Sequence, residues 1–215
     1  HPDRLMALIA ADVLVDRRSG TEAERTVFFD VKCSMALEEA IIASGGIPRM
    51  VRTGHSFMKR ELRANPDAVM AGEMSGHFFL HDRWPGFDCS LYNAARILEL
   101  WSRRDALFSE ELNRLAPNLP TTGEVKIPCP EEKKLEIVAA ITEAFADHES
   151  STIDGVRVRF TEDGVQQGWY LARKSNTEPI LVMRVEAVNE EKLSQMLSLI
   201  DSRVSSIINI EKLLG

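Results

Sequence analysis

Two stretches of the sequence gather residue types that can do chemistry. The first is Ala71-Gly72-Glu73-Met74-Ser75-Gly76-His77, with a carboxylate, a hydroxyl and an imidazole set around two glycines. An ionised carboxylate accepts hydrogen bonds from two neighbouring hydroxyls, and a serine hydroxyl donates or accepts one. Glycine lets the backbone approach a ligand closely. That inventory suits a sugar; the same residues also compose an ordinary polar β-turn. The second stretch is Arg173-Lys174-Ser175-Asn176-Thr177-Glu178-Pro179. Its first five residues offer a guanidinium, an ammonium, two hydroxyls and an amide. These are the donor types that hold a phosphate, and Arg can bind it bidentately. Successive backbone N–H groups in a tight turn can add an anion nest. A solvated hairpin tip has the same composition.

The first stretch is expected at the end of a strand, because Ala68-Val69-Met70 leads into it and Phe78-Phe79-Leu80 leads out. Upstream, Thr26 to Val31 is nearly all apolar, as in a strand covered on both faces, and it runs into Lys32. Ile47 to Val51 is the next strand and ends at Arg52-Thr53-Gly54-His55-Ser56. Helices are expected over Leu5 to Val15, after a Ser34 cap as far as Gly45-Gly46, and from a Thr53 cap to about Ala64. Arg17 to Glu24 reads as a polar loop. Strand, helix, strand, helix, strand with short joints predicts right-handed parallel βαβ units. Residues that follow the strands of such a sheet share its carboxyl edge, where ligands bind. Lys32, His55 and the Glu73, Ser75, His77 group are thereby expected on one edge, as in an active cleft. Taken singly, Lys32 also reads as a snorkelling surface lysine and His55 as a residue that merely starts a helix. A zinc site from His77, His81, Asp82, Asp88 and Cys89 would need His77 and His81 on one helix face. Phe78-Phe79 and Pro85-Gly86 argue instead for strand and loop.

Farther along, residues 81–88 read as a loop or hairpin tip, and Ser90 is expected to cap a helix from Leu91 to about Arg103. Its expected inner face is Leu91, Ala94, Ala95, Leu98 and Trp101. Pro117, Pro120, Pro128 and Pro130 mark an irregular stretch. A domain boundary is expected there, dividing the chain into 1–116 and 117–215. Beyond it, Glu131 to Asp147 predicts an amphipathic helix through Leu135, Val138, Ala139, Ile141, Thr142 and Phe145. Three β-like runs follow, Val156 to Thr161, Gly168 to Arg173 and Ile180 to Glu186, and then a helix from Glu190 to Ser206. Strands in succession between two helices predict a smaller α+β layer with an antiparallel sheet.

The 215 residues carry a net charge of −7, which excludes a general nucleic-acid or acidic-membrane partner. A hydrophobic content of 44% with 27% charged residues is that of a soluble globular protein with a sizeable core. Cys33, Cys89 and Cys129 are odd in number and widely spaced, so no disulfide framework is implied and a reducing cytosol fits. No signal peptide or apolar run of membrane-spanning length is present. The chain opens on His1-Pro2-Asp3-Arg4 without an initiator Met and reads as a fragment.

With these residues in hand, the chain resembles the α-D-phosphohexomutases. Four stretches carry the resemblance, in family order: Asp30-Val31-Lys32-Cys33, Thr53-Gly54-His55-Ser56, Gly72-Glu73-Met74-Ser75-Gly76-His77, and Arg173 to Pro179. The third and fourth are specific, and the likeness runs from about Pro2 to Ile208. It implies a cytoplasmic isomerase of four domains around one cleft. Such an enzyme interconverts the 1- and 6-phosphates of mannose or glucose through a phosphoserine and a bisphosphorylated intermediate, with Mg²⁺ held in an Asp-Gly-Asp loop and a hexose bisphosphate as activator. This chain looks like the third and fourth domains: a parallel three-layer α/β/α domain, incomplete at its N-terminus, followed by the α+β domain. By resemblance Glu73 and Ser75 bind the sugar hydroxyls, His77 transfers a proton, and Lys32 and His55 line the catalytic cleft. Arg173, Ser175, Asn176 and Thr177 hold the distal phosphate. Met74 between Glu73 and Ser75 points to the phosphomannomutase/phosphoglucomutase branch. Neither the serine loop nor the Asp-Gly-Asp loop is in the sequence, so the fragment is expected to recognise hexose phosphate but to be inactive without its N-terminal domains. The alternative is a stand-alone sugar-phosphate-binding or regulatory module.

Overall fold

The computed structural model describes residues 1–17 and 19–214; Arg18, in the expected polar loop, and Gly215 lie outside it. The chain divides into two compact units, His1–Asn118 and Leu119–Gly215.

The first unit opens with helix α1 (Pro2–Val13), which carries a proline in its first turn, where a missing N–H costs nothing. Strand β1 (Thr26–Asp30) is buried along its whole length. Helix α2 (Met35–Ala43) is capped by Ser34, whose hydroxyl accepts the Ala36 N–H at 3.1 Å. Strand β2 (Ile47–Val51) and helix α3 (His55–Ala64) follow. The N-cap of α3 is Gly54 rather than Thr53, and it has no side-chain cap. Strands β3 (Met70–Gly72) and β4 (Phe78–Leu80) come next, then helices α4 (Ser90–Trp101) and α5 (Phe108–Leu115).

The sheet order is β2-β1-β3-β4. β1 pairs in parallel with β2 and β3, and β4 pairs antiparallel with β3. The sheet is therefore mixed rather than wholly parallel. Glu73 to His77 is too short for a crossover, so β3 and β4 can join only as a hairpin. Side chains alternate across the sheet. Phe28, Ala71 and Phe79 meet Met58 and Leu62 of α3 on one face. Gly72 points the other way, against Met6 of α1, which gives three layers.

Helix α4 reverses the expected facing. Leu91 and Leu98 are 82% and 68% exposed, while Asn93, Arg96 and Leu100 are buried. The polar residues turn inward because each has a fixed partner. Asn93 Nδ2 donates to the Phe78 carbonyl at 3.1 Å, and Arg96 grips both oxygens of Asp82 at 2.8 and 2.9 Å. Ser90 is the first residue of the helix and does not cap it; Cys89 is the N-cap, without a side-chain bond.

The second unit begins with strand β5 (Val125–Pro128), inside the stretch expected to be irregular. Its one proline, Pro128, suits an edge strand, which can spare a ladder N–H. Helix α6 (Lys134–Ala144) is followed by β6 (Ser150–Ser151), β7 (Val156–Glu162), β8 (Val165–Lys174) and β9 (Ile180–Ala187). The sheet is antiparallel in the order β5-β9-β8-β7-β6. Helix α7 (Glu190–Val204) is capped by Asn189, which accepts the Lys192 N–H at 2.8 Å, and a short α8 (Glu211–Leu214) ends the described chain. Ile141, Phe145, Met196 and Ile200 pack on Val156, Val158, Tyr170, Met183 and Val185 of the sheet, each apolar side chain contributing about 1.5–3 kcal/mol. Leu135 and Ala139 lie on the outer side of α6, and Lys134 is buried in their place. Among the described residues no helix is long and apolar enough to cross a membrane.

Candidate functional site

The strand register brings the residues of the first stretch to a common edge. Asp30 pairs with Val51 across β1 and β2, and Phe29 with Gly72 across β1 and β3. The three parallel strands thus end side by side. Lys32, the Thr53–His55 segment and Glu73–His77 all leave from that edge.

Glu73 is 3% exposed, less than a strand-end carboxylate would be in a plain turn. Its Oε1 accepts the Gly54 N–H at 2.8 Å, which ties the loop after β3 to the loop after β2. Gly54 can present that N–H because it sits at φ +138°, a conformation closed to side-chain-bearing residues. Backbone bonds from Glu73 N to His77 O and from Gly76 N to Glu73 O close the turn, with Gly76 at φ +92°. Burial pushes the Glu73 carboxyl above its ordinary pKa, and the nearby Asp30 charge adds to this; the Gly54 N–H, His77 and Lys32 pull the other way. Ser75 and His77 are exposed beside it. Lys32 is 7% exposed, so it is not a snorkelling surface lysine, and its Nζ lies 3.9 Å from Asp30 Oδ2.

The two imidazoles meet edge to face, His55 and His77 having ring centroids 5.6 Å apart, and His55 also lies against Phe79 at 4.9 Å. Burial holds the His55 pKa below its usual value, helped by Lys59 and His77. His77 Nδ1 sits 2.7 Å from Asp88 Oδ2, and Asp88 Oδ1 accepts the Asn93 amide at 3.3 Å. An ionised Asp88 puts the ring proton on Nδ1 and leaves Nε2 able to take or give one. Asp88, weighed from sequence only as a metal ligand, is thus an orienting partner of His77. His81 Nδ1 is engaged 3.1 Å from the Ala68 carbonyl. Among the described residues no group of three His, Cys, Asp or Glu side chains is placed to hold a metal ion.

In the second unit the Arg173 to Thr177 group sits at the β8–β9 connection. Arg173 is 5% exposed and donates from Nε to Asp154 Oδ2 at 2.9 Å. A guanidinium has five N–H donors, so this bond anchors the side chain and spends one. The Ser175 hydroxyl accepts the N–H groups of Thr177 and Glu178 at 3.3 and 3.1 Å, which curls the loop tightly, while Asn176 and Thr177 are exposed. Beneath the loop lies Lys134, 1% exposed, whose ammonium donates to the carbonyls of Ser175 at 3.1 Å and Glu178 at 2.5 Å and pairs with Glu131. Sequence alone gave no sign of it, since a lysine at a helix start reads as solvated. Asp154 was equally hidden, in the turn before Gly155.

The comparisons with known proteins agree with this geometry. Residues 1–119 match the family model described as phosphoglucomutase/phosphomannomutase, alpha/beta/alpha domain III, and residues 124–202 match the C-terminal domain of the same family. A phosphomannomutase/phosphoglucomutase of Pseudomonas syringae pv. tomato is 41% identical over 198 residues, covering 91% of this chain and 40% of the relative. A phosphoglucomutase of Neisseria meningitidis serogroup A is 42% identical over 200 residues, covering 91% and 41%. A solved phosphoglucomutase/phosphomannomutase family protein from Burkholderia thailandensis superposes with a TM-score of 0.80 at 36% identity, covering 96% of this chain and 42% of that one. The chain therefore spans about two fifths of the length of the relatives it matches. With both units matched in order, the chain belongs to the phosphoglucomutase/phosphomannomutase family and carries its third α/β/α domain and its C-terminal domain.

Proposed function

We propose that this chain is the sugar- and phosphate-recognising portion of an enzyme that interconverts hexose 1-phosphates and hexose 6-phosphates. The observation that carries the reading is the gathering of Lys32, His55, Glu73 and His77 at one sheet edge in a chain of this family. Glu73 and Ser75 accept and donate to sugar hydroxyls. Arg173, Ser175, Asn176 and Thr177 hold the phosphate that is not reacting. His77, oriented by Asp88, takes the proton of the attacking sugar hydroxyl at Nε2 and returns it on the reverse step. Lys32 supplies positive charge toward the phosphoryl group, and His55, neutral near pH 7 because burial lowers its pKa, lines the site. Phosphoryl transfer needs little beyond such positioning and charge.

The side chains in this chain do not fit a magnesium ion, since no three acidic or imidazole groups converge among the described residues. The metal ligands and the phosphorylated serine are assigned to polypeptide outside these 215 residues, and no step here is routed through them.

A coupled assay tests the reading. The full-length protein, supplied with glucose 1-phosphate or mannose 1-phosphate, magnesium and a hexose bisphosphate, should form the 6-phosphate, and the chain alone should stay at background. A full-length protein that binds hexose phosphates without turning them over would favour a recognition module instead.

A further inference from the structure

We propose that Asp30 is the positioning residue of the sugar site, a single buried carboxylate that holds together the three loops carrying Lys32, His55 and the Glu73–His77 turn. Calling the ligand a hexose phosphate rests on the function proposed above; the bracing of the loops does not.

Asp30 is the last residue of β1, the central parallel strand, and is 0% exposed. Its two oxygens collect donors from all three loops. Oδ1 accepts the Lys32 N–H at 3.1 Å and the Cys33 thiol at 3.3 Å from its own loop, and the Met74 N–H at 3.4 Å from the β3–β4 turn. Oδ2 accepts the Thr53 hydroxyl at 3.2 Å from the loop after β2, and lies 3.9 Å from Lys32 Nζ. Partners 23 and 44 residues distant in sequence thus share one side chain. The bond from the Gly54 N–H to Glu73 is a second tie between two of the same loops.

Only a carboxylate suits the place. It is acceptor-only with room for about four donors, whereas an amide replaces one oxygen with a donor. The backbone N–H groups of Lys32 and Met74 cannot turn away, so an amide would keep its oxygen toward them. Its NH₂ would then face the Lys32 ammonium and the Thr53 hydroxyl. Burial raises the Asp30 pKa, and the Lys32 charge and the hydrogen bonds oppose that rise, so the carboxylate depends on its donors as they depend on it.

The two substitutions consequently differ in kind. Asp30→Ala releases all three loops. Asp30→Asn, of equal volume, keeps the Lys32 and Met74 amides bonded, forces the Thr53 hydroxyl to turn from donor to acceptor, and releases the Lys32 ammonium. Amide hydrogen exchange on the ¹⁵N-labelled chain reads this directly. In Asp30→Ala, exchange at the Lys32 and Met74 amides should quicken together, by at least about tenfold. In Asp30→Asn those two amides should stay protected while the Thr53–His55 resonances move. Amides of the β8–β9 ladder should be unchanged in both. Titration with glucose 1-phosphate should shift the Glu73, Ser75 and His55 resonances of the unaltered chain, and either variant should weaken that binding by about tenfold, the loss of one charge-assisted hydrogen bond. Unchanged exchange at Met74 in Asp30→Ala, or identical spectra for the two variants, overturns the positioning role. If Asp30→Ala fails to fold, the Asn variant decides alone through the contrast between Met74 and Thr53. An absence of shifts in the unaltered chain would count against the sugar reading, with the exchange data still deciding the role of Asp30.

Discussion

The two units organise their candidate sites around buried charges of opposite sign. In the first, the Asp30 carboxylate collects N–H, O–H and S–H donors from three loops that follow three different strands. In the second, the Lys134 ammonium collects the carbonyls of Ser175 and Glu178 from one connection between adjacent strands. The difference follows from topology. Parallel strands bring distant segments to one edge, where something must brace them against each other. An antiparallel hairpin already joins its own ends and needs support only from below. The first site is therefore non-local and cooperative, and the second is a local device in which each bond can be removed nearly alone.

The hardest test of that locality is Arg173→Ala. Arg173 and Asp154 are both buried, and removing one partner of such a pair leaves an uncompensated charge, at a cost of about 3 kcal/mol. Urea denaturation should show the loss, and inorganic phosphate should no longer shift Ser175, Asn176 and Thr177. Arg173→Lys should recover part of the stability but less of the anion binding, because an ammonium cannot bind bidentately. Unchanged stability in the Ala variant would mean that the Asp154 pair does not anchor this loop. Next in size is Lys134→Met, which leaves two carbonyls without their donor and should cost about 2 kcal/mol. Hydrogen exchange should rise at the β8–β9 connection and nowhere in the first unit; loosening of the Glu73 turn would break the distinction between the units.

A smaller effect is expected in the first unit, at the His77–Asp88 pair. In the full-length enzyme Asp88→Asn should lower kcat/KM by about tenfold, since the amide no longer fixes the proton on Nδ1 of His77. Thermal stability should hold, because His77 is exposed. Activity unchanged within twofold would remove His77 and Asp88 from the proton path.

The sequence made the carboxyl edge of the first sheet legible because buried parallel strands announce themselves as short apolar runs between turn residues. That placed Lys32, His55 and Glu73 together. What braces them was not legible. Asp30 follows an apolar strand and looks like any charge at a loop entry, and its partners Thr53 and Met74 are distant in sequence. Lys134 was hidden because helix periodicity assigned its neighbour Leu135 to the core, whereas Leu135 is 67% exposed. The α4 face was inverted for a related reason: periodicity counts apolar residues and cannot see that Asn93 and Arg96 have partners waiting inside. β5 was masked by prolines that forbid a central strand but not an edge.

The smallest effect concerns the stability that the first site gives up for its chemistry. Glu73 is buried, and its folded pKa lies above the ordinary 4.5. The folded state thus holds the proton more tightly than the unfolded chain does. The stabilisation from protonated Glu73 is complete below pH 4.5 and is lost as the pH rises through the folded value. Glu73→Gln has nothing to titrate, and its amide oxygen can still accept the Gly54 N–H. Its melting temperature relative to the unaltered chain should therefore climb as the pH is raised from 4 toward 8, on the side where the native carboxylate is charged and buried. Binding of glucose 1-phosphate should move oppositely in the unaltered chain, strengthening as Glu73 ionises and becomes an acceptor for two sugar hydroxyls. Thermal scans across that range, paired with titrations at the same pH values, measure both arms. A melting difference that stays flat with pH would show that Glu73 is solvated rather than held by the loops that Asp30 braces, and would remove the contrast between a cooperative first site and a local second one.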